Sequence, residues 1–314
     1  MNNIQNNIDK RIQEITSKPF SNKKRKNKTC KIMILSKPNI NHIKLTKEDI
    51  KKIKEKALGN ELIKFRKKLY KYFQRENLKL LNNNINSLKI KIRYLNPKIF
   101  SKKIATGEYK LDKNKVYLLN SFKETAINHE FLHMATSFYD KKLKIGFCGF
   151  QQILYLKKQV IGYGLNEGYT ELLTDRYFKN QIKYKSFSYD RCNFFASKLE
   201  EIIGQKQMES FYMNADLHGL YKYLLNFDNA TNIMTFIIML DHLLKNTSSD
   251  KCNKHHELIQ CYLAKWYICK KKQELNNNII NEDTFNNQVK NYINSLGNRS
   301  LCLKNYVKQK EYCK

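Results

Sequence analysis

The arrangement of apolar and polar positions predicts helices before strands in the first third of the chain. Thr46-Lys47-Glu48-Asp49 has the form of a capping box, so we predict a helix from there to about residue 57. After Gly59, apolar residues recur at spacings of three and four, which predicts a second helix to about Leu81. In residues 87–95 apolar and basic residues alternate instead, which is the pattern of a half-buried strand.

A hairpin and a capped helix are predicted next. Glu108–Leu111 and Lys115–Leu119 flank a short polar turn, so they are expected to pair. The second strand leads into residues 121–138, where Ser121 and Glu124 form another capping box. An apolar stripe predicts that this helix docks on a core; its members are Ile127, Phe131, Met134 and Phe138. An edge strand beside such a helix either pairs with an extended peptide or simply completes the sheet.

Further along, the pattern changes from extended to helical. Lys144–Tyr163, with glycines in and near it, is typical of another extended pair, and Asn166 is predicted to cap the helix that follows. From about residue 186, periodic apolar stretches separated by polar breaks predict an all-helical region. The candidate helices are Phe194–Ile203, Met208–Leu225, Met234–Leu244, His255–Lys270 and residues 283–295.

These elements predict an α+β protein. The chain has 314 residues with 41% hydrophobic and 12% aromatic content, which is enough to bury a substantial core. We divide it into a basic, weakly structured N-terminal segment (1–45), a helical N-terminal region (46–85), a region of strands with two helices (86–180) and a helical C-terminal subdomain (181–314).

The formal net charge is +31, from 59 Lys+Arg against 28 Asp+Glu. Such a charge is compatible with an anionic partner, such as nucleic acid or a membrane surface. The run Lys23-Lys24-Arg25-Lys26 is either a nucleic-acid or targeting patch or, as we favour, a solvated basic tail. However, the lysines are scattered and mostly not interleaved with aromatic residues. The chain is also rich in Lys, Asn and Ile, whose codons are A/T-rich. We therefore favour compositional drift over nucleic-acid binding as the origin of the charge.

The spacing of the cysteines and the hydropathy of the chain indicate in which cellular compartment the protein is expected. The eight cysteines contain no C-x-x-C pair and fit no compact disulfide scaffold, so we expect reduced thiols. Residues 1–16 lack the apolar core of a secretory signal, and the longest apolar run, Ile233–Leu240, is too short to span a bilayer. These features favour a cytoplasmic protein without a membrane span, and leave export by a signal-independent route open.

The motif that carries chemistry is His129-Glu130-Phe131-Leu132-His133, an H-E-x-x-H sequence. On a helix its two histidines lie one turn apart on the same face, where two neutral imidazoles can bind one zinc ion. Glu130 then lies beside the first ligand, placed to take a proton from a metal-bound water. A catalytic zinc usually has three protein ligands. The residues after His133 contain neither the Gly nor the third His of the metzincins.

The second half of the site is carried by Asn166-Glu167-Gly168-Tyr169-Thr170-Glu171. With H-E-x-x-H upstream, it resembles the gluzincin metallopeptidases. Thermolysin-like members have an N-E-x-x-[ST]-[DE]-like stretch on a second helix, and the aminopeptidase-N group has an N-E-G-[FY] stretch. The resemblance covers roughly residues 115–178. It implies Glu167 as the third ligand of one Zn²⁺ per chain and Glu171 as an acidic residue that hydrogen-bonds a ligating histidine.

The resemblance also implies a fold and an activity. The fold would be a zincin-like catalytic domain, in which a small sheet packs with the H-E-x-x-H helix and the glutamate-bearing helix, followed by a helical subdomain that closes the cleft. The activity would be hydrolysis of a peptide or protein substrate, with Glu130 as general base that then passes the proton to the leaving amine. Gluzincins stabilise the oxyanion with a Tyr, His or Arg from the later helical domain. The candidate is His218, with Tyr221 and Tyr212 behind it.

Two other functions stay open on the sequence. A basic nucleic-acid-binding protein would carry the motif as an incidental or structural metal site, and its affinity should fall steeply with salt. A toxin-like or regulatory protease that cuts one folded partner would carry the same motifs as a general peptidase. The chain has no Walker loop, G-x-G-x-x-G or G-x-S-x-G, so nucleotide binding and serine-hydrolase chemistry have no support. No signature for a substrate α-amine is evident, so aminopeptidase activity is not implied.

Overall fold

The computed structural model describes residues 2–17, 33–41, 43–93, 107–120, 123–178, 187–245 and 249–297. Within these ranges the chain is a mixed α+β protein in which helices predominate. The strands are β1 (Lys89–Arg93), β2 (Gly107–Lys110), β3 (Lys115–Leu119), β4 (Ser137–Asp140), β5 (Ile145–Cys148), β6 (Gln151–Leu154) and β7 (Gln159–Ile161).

The helices are distributed along the described chain between Asn2 and Ser295. They are α1 (Asn2–Ser17), α2 (Lys47–Lys54), α3 (Gly59–Tyr72), α4 (Lys79–Ile85), α5 (Lys123–Ala135), α6 (Tyr163–Phe178), α7 (Phe187–Ile203), α8 (Gln205–Met213), α9 (Leu217–Leu224), α10 (Ala230–Lys245), α11 (Ser249–Asn276) and α12 (Glu282–Ser295). The predicted capping box at the start of α2 is confirmed, since Thr46 and Asp49 satisfy each other's backbone N–H groups.

The predicted strand and hairpin form a three-stranded sheet in the order β1-β3-β2. β3 pairs parallel with β1 and antiparallel with β2, and Asn114 closes the hairpin in a left-handed conformation. Val116 and Leu118 on β3 are fully buried, and α5 packs against β2 and β3. The strand that leads into the motif helix is therefore central, not an edge. Among the described strands, β2 is the one that pairs on one side only and also lies beside α5.

A four-stranded antiparallel sheet, β4-β5-β6-β7, occupies the region where a single extended pair was predicted. Its first strand begins almost at once after α5, so the assignment of Phe138 to the helical stripe is wrong. At the end of the helix, the hydroxyls of Thr136 and Ser137 donate to carbonyls of its last turn. Phe138 instead lies in β4, where its ring packs against Phe147 of β5 at 6.3 Å.

The helix that carries Glu167 starts three residues before the predicted cap. Asn166 is not its N-cap: it lies inside α6 and is fully buried. The first-turn N–H groups are satisfied from α10, where the Asp241 carboxylate accepts hydrogen bonds from Gly162 N at 3.0 Å and Gly164 N at 2.7 Å. A cap so far away in sequence leaves no local signature.

The C-terminal half is helical, as the apolar periodicity predicts. One predicted helix is wrong in part: Met208–Leu225 is divided into α8 and α9 by a turn in which Ala215 has φ 51°. The Asp216 side chain then caps α9 by accepting from Gly219 N. A large apolar core joins the N-terminal, motif and C-terminal helices, and a second, small cluster packs one face of the four-stranded sheet. The largest members of the large core include Phe65, Phe131, Tyr169, Phe236 and Trp266.

The expectation of a weakly structured N-terminal segment is wrong for residues 2–17, which form α1. Ile8, Ile12 and Ile15 share one face of the helix and are buried, and α1 packs on α11. Arg11 donates to the Glu257 carboxylate at 3.0 and 3.1 Å. Residues 18–32, with the basic run, lie outside the described residues, as does Ser121 of the second predicted capping box.

No helix in the described ranges combines the length and apolar character that a bilayer span requires.

Candidate metal centre

Helix α5 is buried on nearly every side. It packs against β2 and β3, against α4 and against α6. Its fully buried residues are Phe131, Leu132, Met134 and Ala135. Because apolar contacts surround the helix, its polar motif residues are also enclosed: His129, Glu130 and His133 are 9%, 6% and 7% exposed. The motif is therefore part of the protein interior and not a solvated helix face.

Helix α6 brings two buried carboxylates, Glu167 and Glu171, one turn apart against α5. Gly168 lets the opposite side of α6 approach α7 closely. A Cβ at Gly168 would lie 2.4 Å from the carbonyl group of Cys192, a separation that packed atoms do not adopt. Within the N-E-G-Y sequence, Gly168 therefore allows α6 to pack closely on α7, and Glu167 supplies the carboxylate that faces α5.

Three donor groups converge between α5 and α6. His133 Nε2 lies 3.0 Å from His129 Nε2 and 3.3 Å from Glu167 Oε1, and His129 Nε2 lies 3.2 Å from Glu167 Oε2. One ligand atom from each of these residues lies within 4.8 Å of the other two. Ligands about 2.0–2.1 Å from a tetrahedral zinc are about 3.3 Å apart, so the observed separations match the edges of such a site.

The charges of this cluster favour either a bound cation or protons on the two histidines. Three carboxylates, those of Glu130, Glu167 and Glu171, are buried around two imidazoles. Burying ionised carboxylates without a compensating positive charge is strongly unfavourable. Two imidazole nitrogens and one glutamate oxygen are also the donor set of a common class of catalytic zinc site. The residues present fit a bound Zn²⁺ in donor type, spacing and charge.

The cluster also sets the protonation of its own members. Burial alone would lower the pKa of His129, but its hydrogen bonds with Glu167 and Glu171 outweigh burial and raise that pKa to about 9. The pKa of His133 is likewise raised well above its usual value by the Glu167 charge, against the effect of burial. Burial would raise the pKa of Glu167, but the two rings hold it below its usual range. Without a metal, therefore, protons on the histidines balance the carboxylates.

Glu171 lies where the resemblance places it. Its Oε2 is 3.2 Å from His129 Nδ1. A carboxylate that accepts the Nδ1 proton leaves the Nε2 lone pair directed at the convergence point.

On its outer side His133 contacts Asn166 and Cys148, and neither contact is predicted by the sequence. Asn166 Nδ2 lies 3.3 Å from His133 Nδ1, and the Asn166 Oδ1 accepts from Phe150 N at 3.0 Å. The Cys148 thiol donates to the backbone carbonyl of His133, and its sulfur lies 3.6 Å from Nδ1. Asn166 belongs to the N-E-G-Y stretch, but an asparagine before a helical pattern also predicts an N-cap, so its contact with His133 was not predicted. Nothing in the sequence around Cys148 indicates that its side chain contacts His133.

Glu130 faces the edge strand of the three-stranded sheet. An added Cβ at Gly107, the first residue of β2, would lie 2.6 Å from Glu130 Oε1 and 2.7 Å from its Cγ. Glycine therefore makes room for this carboxylate. Burial raises the pKa of Glu130, while the neighbouring His129 and His133 lower it in part.

In the part of the chain that the structure describes, no hydrogen bond, ion pair or ring contact joins the predicted oxyanion donor to this cluster. His218 lies on α9, where its ring stacks on Tyr221 at 6.4 Å and its buried Nδ1 has no hydrogen-bond partner among the described residues. Tyr212 lies closer, since its ring touches the position where a Gly149 Cβ would be, beside Asn166. The hydroxyl of Tyr212 is engaged with Thr170 Oγ1 at 2.6 Å. The role of His218 in catalysis stays a prediction.

Comparison with protein-family models, with curated proteins and with solved structures gives no match for this chain.

Proposed function

We propose that this protein is a zinc-dependent metallopeptidase of the gluzincin type. The observation that carries the proposal is the convergence of His129 Nε2, His133 Nε2 and the Glu167 carboxylate at mutual distances of 3.0–3.3 Å, with Glu130 as the next residue on α5. A small sheet, the motif helix and a second helix with the third ligand are the parts of a zincin-like catalytic domain, and the arrangement of β2, β3, α5 and α6 supports that assignment.

His129, His133 and Glu167 would hold the zinc ion, and Glu171 would orient His129. When bound, zinc supplies a Lewis acid that polarises a carbonyl and lowers the pKa of a water molecule toward neutrality.

Glu130 moves the proton in the proposed reaction. Its carboxylate accepts a proton from the attacking water and delivers it to the nitrogen of the leaving amine, so one residue serves as base and then as acid. The enclosed position of Glu130 limits its hydration, which keeps it available for this transfer.

The edge of β2 supports a way to hold a peptide. In the described part of the chain β2 pairs only with β3, and its Gly107 touches Glu130. An extended peptide that paired with the free edge would gain backbone hydrogen bonds and pass beside the base. This mode of binding recognises main chain, so it suits a peptide or protein substrate.

The test begins with metal. The full chain should be purified without added zinc and its metal content measured by mass spectrometry, and peptidase activity followed on a library of fluorogenic peptides. We expect about one zinc per chain, loss of activity with a chelator and recovery with zinc. Glu130→Gln should keep the zinc and lose activity by about 100-fold or more. His129→Ala should lose both.

Glu76→Gln is the matched control, because Glu76 is exposed and lies far along the chain from the motif. It should leave zinc content and activity unchanged. A chain without stoichiometric zinc, or full activity in Glu130→Gln, overturns the proposal. Salt-sensitive binding of nucleic acid without peptidase activity would favour the alternative function instead.

A further inference from the structure

The four-stranded sheet has two ends with different surroundings. At one end, Cys148 of β5 contacts the metal ligand His133. At the opposite end the β4–β5 turn (141–144) and the β6–β7 turn (155–158) lie side by side. Tyr155 N donates to Lys144 O across them at 3.1 Å, which continues the ladder that pairs Ile145 with Leu154.

Each of these two turns projects a leucine into solvent. Leu143 is 61% exposed and Leu156 is 80% exposed. Scattered single exposed leucines are ordinary on protein surfaces. Here, however, the two turns are neighbours, so both exposed leucines belong to the same end of the sheet.

Lysines surround this pair. Residues 141–144 read Lys-Lys-Leu-Lys, and 156–158 read Leu-Lys-Lys; all seven residues are exposed. We call these two segments the Leu–Lys tip. Among the described residues, none of the five lysines of the tip lies in an ion pair. The adjacent Asp140 accepts from the backbone N–H groups of Lys142 and Leu143, both at 2.9 Å, and so fixes the shape of the turn.

We propose that the Leu–Lys tip docks the protein onto an anionic phospholipid bilayer. The exposed leucines of the two turns suit a partner with an apolar layer, and the neighbouring lysines suit a layer of negative charge in front of it. An anionic membrane presents both in that order. Nucleic acid presents phosphates with no apolar layer that a projecting leucine can enter, and the tip has no exposed aromatic side chain for base stacking.

Docking at the tip would keep the bilayer away from the candidate metal centre. The strand Ile145–Cys148 lies between the tip and His133, and its four residues, at about 3.4 Å each, place the cluster roughly 14 Å beyond the tip. The tip shares no residue with the cluster. The proposal therefore stands independently of peptidase activity, and its test uses no substrate.

The experiment measures co-sedimentation of the full chain with large vesicles of phosphatidylcholine, with or without phosphatidylserine. Because the net charge of +31 attracts any anionic surface, the informative variant retains every charge. Leu143→Ser/Leu156→Ser should lower the partition coefficient on anionic vesicles by about tenfold or more. The matched control Leu225→Ser/Ile279→Ser, which removes two exposed apolar side chains elsewhere, should leave it unchanged. Vesicles without phosphatidylserine should bind at least tenfold more weakly.

Two double lysine variants distinguish attraction by the tip from attraction by the net charge of the whole protein. Lys141→Gln/Lys142→Gln should weaken binding more than Lys64→Gln/Lys67→Gln, which removes two exposed lysines from α3. Equal losses would mean that the whole charge of the protein, and not the tip, drives binding, and would overturn the proposal.

A fluorescence measurement reports insertion directly. The single native tryptophan, Trp266, is fully buried, so a Leu156→Trp variant adds one surface reporter. Its emission should shift to the blue with anionic vesicles and be quenched by brominated lipid chains, whereas Ile279→Trp should show neither change. The proposal fails if Leu156→Trp is silent while the chain sediments, if duplex DNA produces the same shift, or if the shift follows protein concentration alone, as in self-association.

Discussion

The imidazole of His129 is held between two carboxylates of one helix, and its outer contact is with Glu171. Nδ1 lies 3.2 Å from Glu171 Oε2, and Nε2 lies 3.2 Å from Glu167 Oε2. Because Glu167 and Glu171 are one turn apart on α6, the two nitrogens of one imidazole ring can reach both carboxylates. The tautomer and the direction of the His129 ring are therefore set by the same helix that carries Glu167, the proposed third ligand.

Removal of the outer contact should weaken metal binding. In Glu171→Ala the Nδ1 proton of His129 loses its acceptor, and we expect zinc affinity to fall about 10- to 100-fold, measured by competition with a chelator of known affinity. Glu171→Gln should fall less, because its amide oxygen can still accept. Wild-type affinity in Glu171→Ala would show that other contacts orient His129.

The close approach of Gly107 to Glu130 allows proton transfer to be tested separately from metal binding. Any side chain at Gly107 overlaps the Glu130 carboxylate, which must then move. We expect Gly107→Ala to keep a full complement of zinc and to lower peptidase kcat by about 10- to 100-fold, since a small displacement of the base disturbs proton transfer. Asn60→Ala, at an exposed position in the first turn of α3, is the control and should change neither zinc content nor kcat. Loss of zinc in Gly107→Ala would point to a wider distortion.

The parts of this site that the sequence predicts are those encoded by local spacing. Two histidines at i and i+4 on a helix, and two glutamates at i and i+4 on the next, need no knowledge of the tertiary fold to be placed on common faces. The hairpin β2–β3 was predictable for the same reason, because period-2 alternation on each side of a polar turn is a local pattern.

The parts that the sequence does not predict depend on distant residues. Asn166 has the side chain of a cap, but its polar atoms are used by Phe150 and His133, and Asp241 caps the helix instead. Burial of α1 depends on α11, more than 230 residues away in sequence, as the Arg11–Glu257 contact shows. Such pairings follow from tertiary packing, which overrides local preference.

Asn166 should therefore matter for stability and not as a cap. In Asn166→Ala the buried N–H of Phe150 loses its acceptor, and we expect the free energy of unfolding to fall by about 1–3 kcal/mol in urea titrations of the metal-free protein. Asn226→Ala, at an exposed asparagine that bonds only a local carbonyl, should change stability by less than about 0.5 kcal/mol. Equal effects at the two positions would contradict a structural role for Asn166.

The cap on α6 should make stability depend on pH in a defined direction. Burial raises the pKa of Asp241 from 3.8 to about 6, while hydrogen bonds from Gly164 N and Gly162 N and the charge of Lys245 on α10 oppose that rise. A carboxyl with a raised pKa in the folded state binds its proton more tightly there than in the unfolded chain. Its contribution is fully present below pH 3.8 and is lost as the pH rises through about 6.

Asp241→Asn removes this titration, so the comparison with the wild type isolates it from all other groups. We expect the stability of the wild type relative to Asp241→Asn to fall by roughly 2–3 kcal/mol between pH 4 and pH 7, measured by urea unfolding with a chelator present. Asp283→Asn, at an exposed position in the first turn of α12, is the control and should show no comparable trend. A difference that stays flat, or that rises with pH, would mean that the Gly162 and Gly164 N–H groups stabilise the charged carboxylate enough to offset its burial.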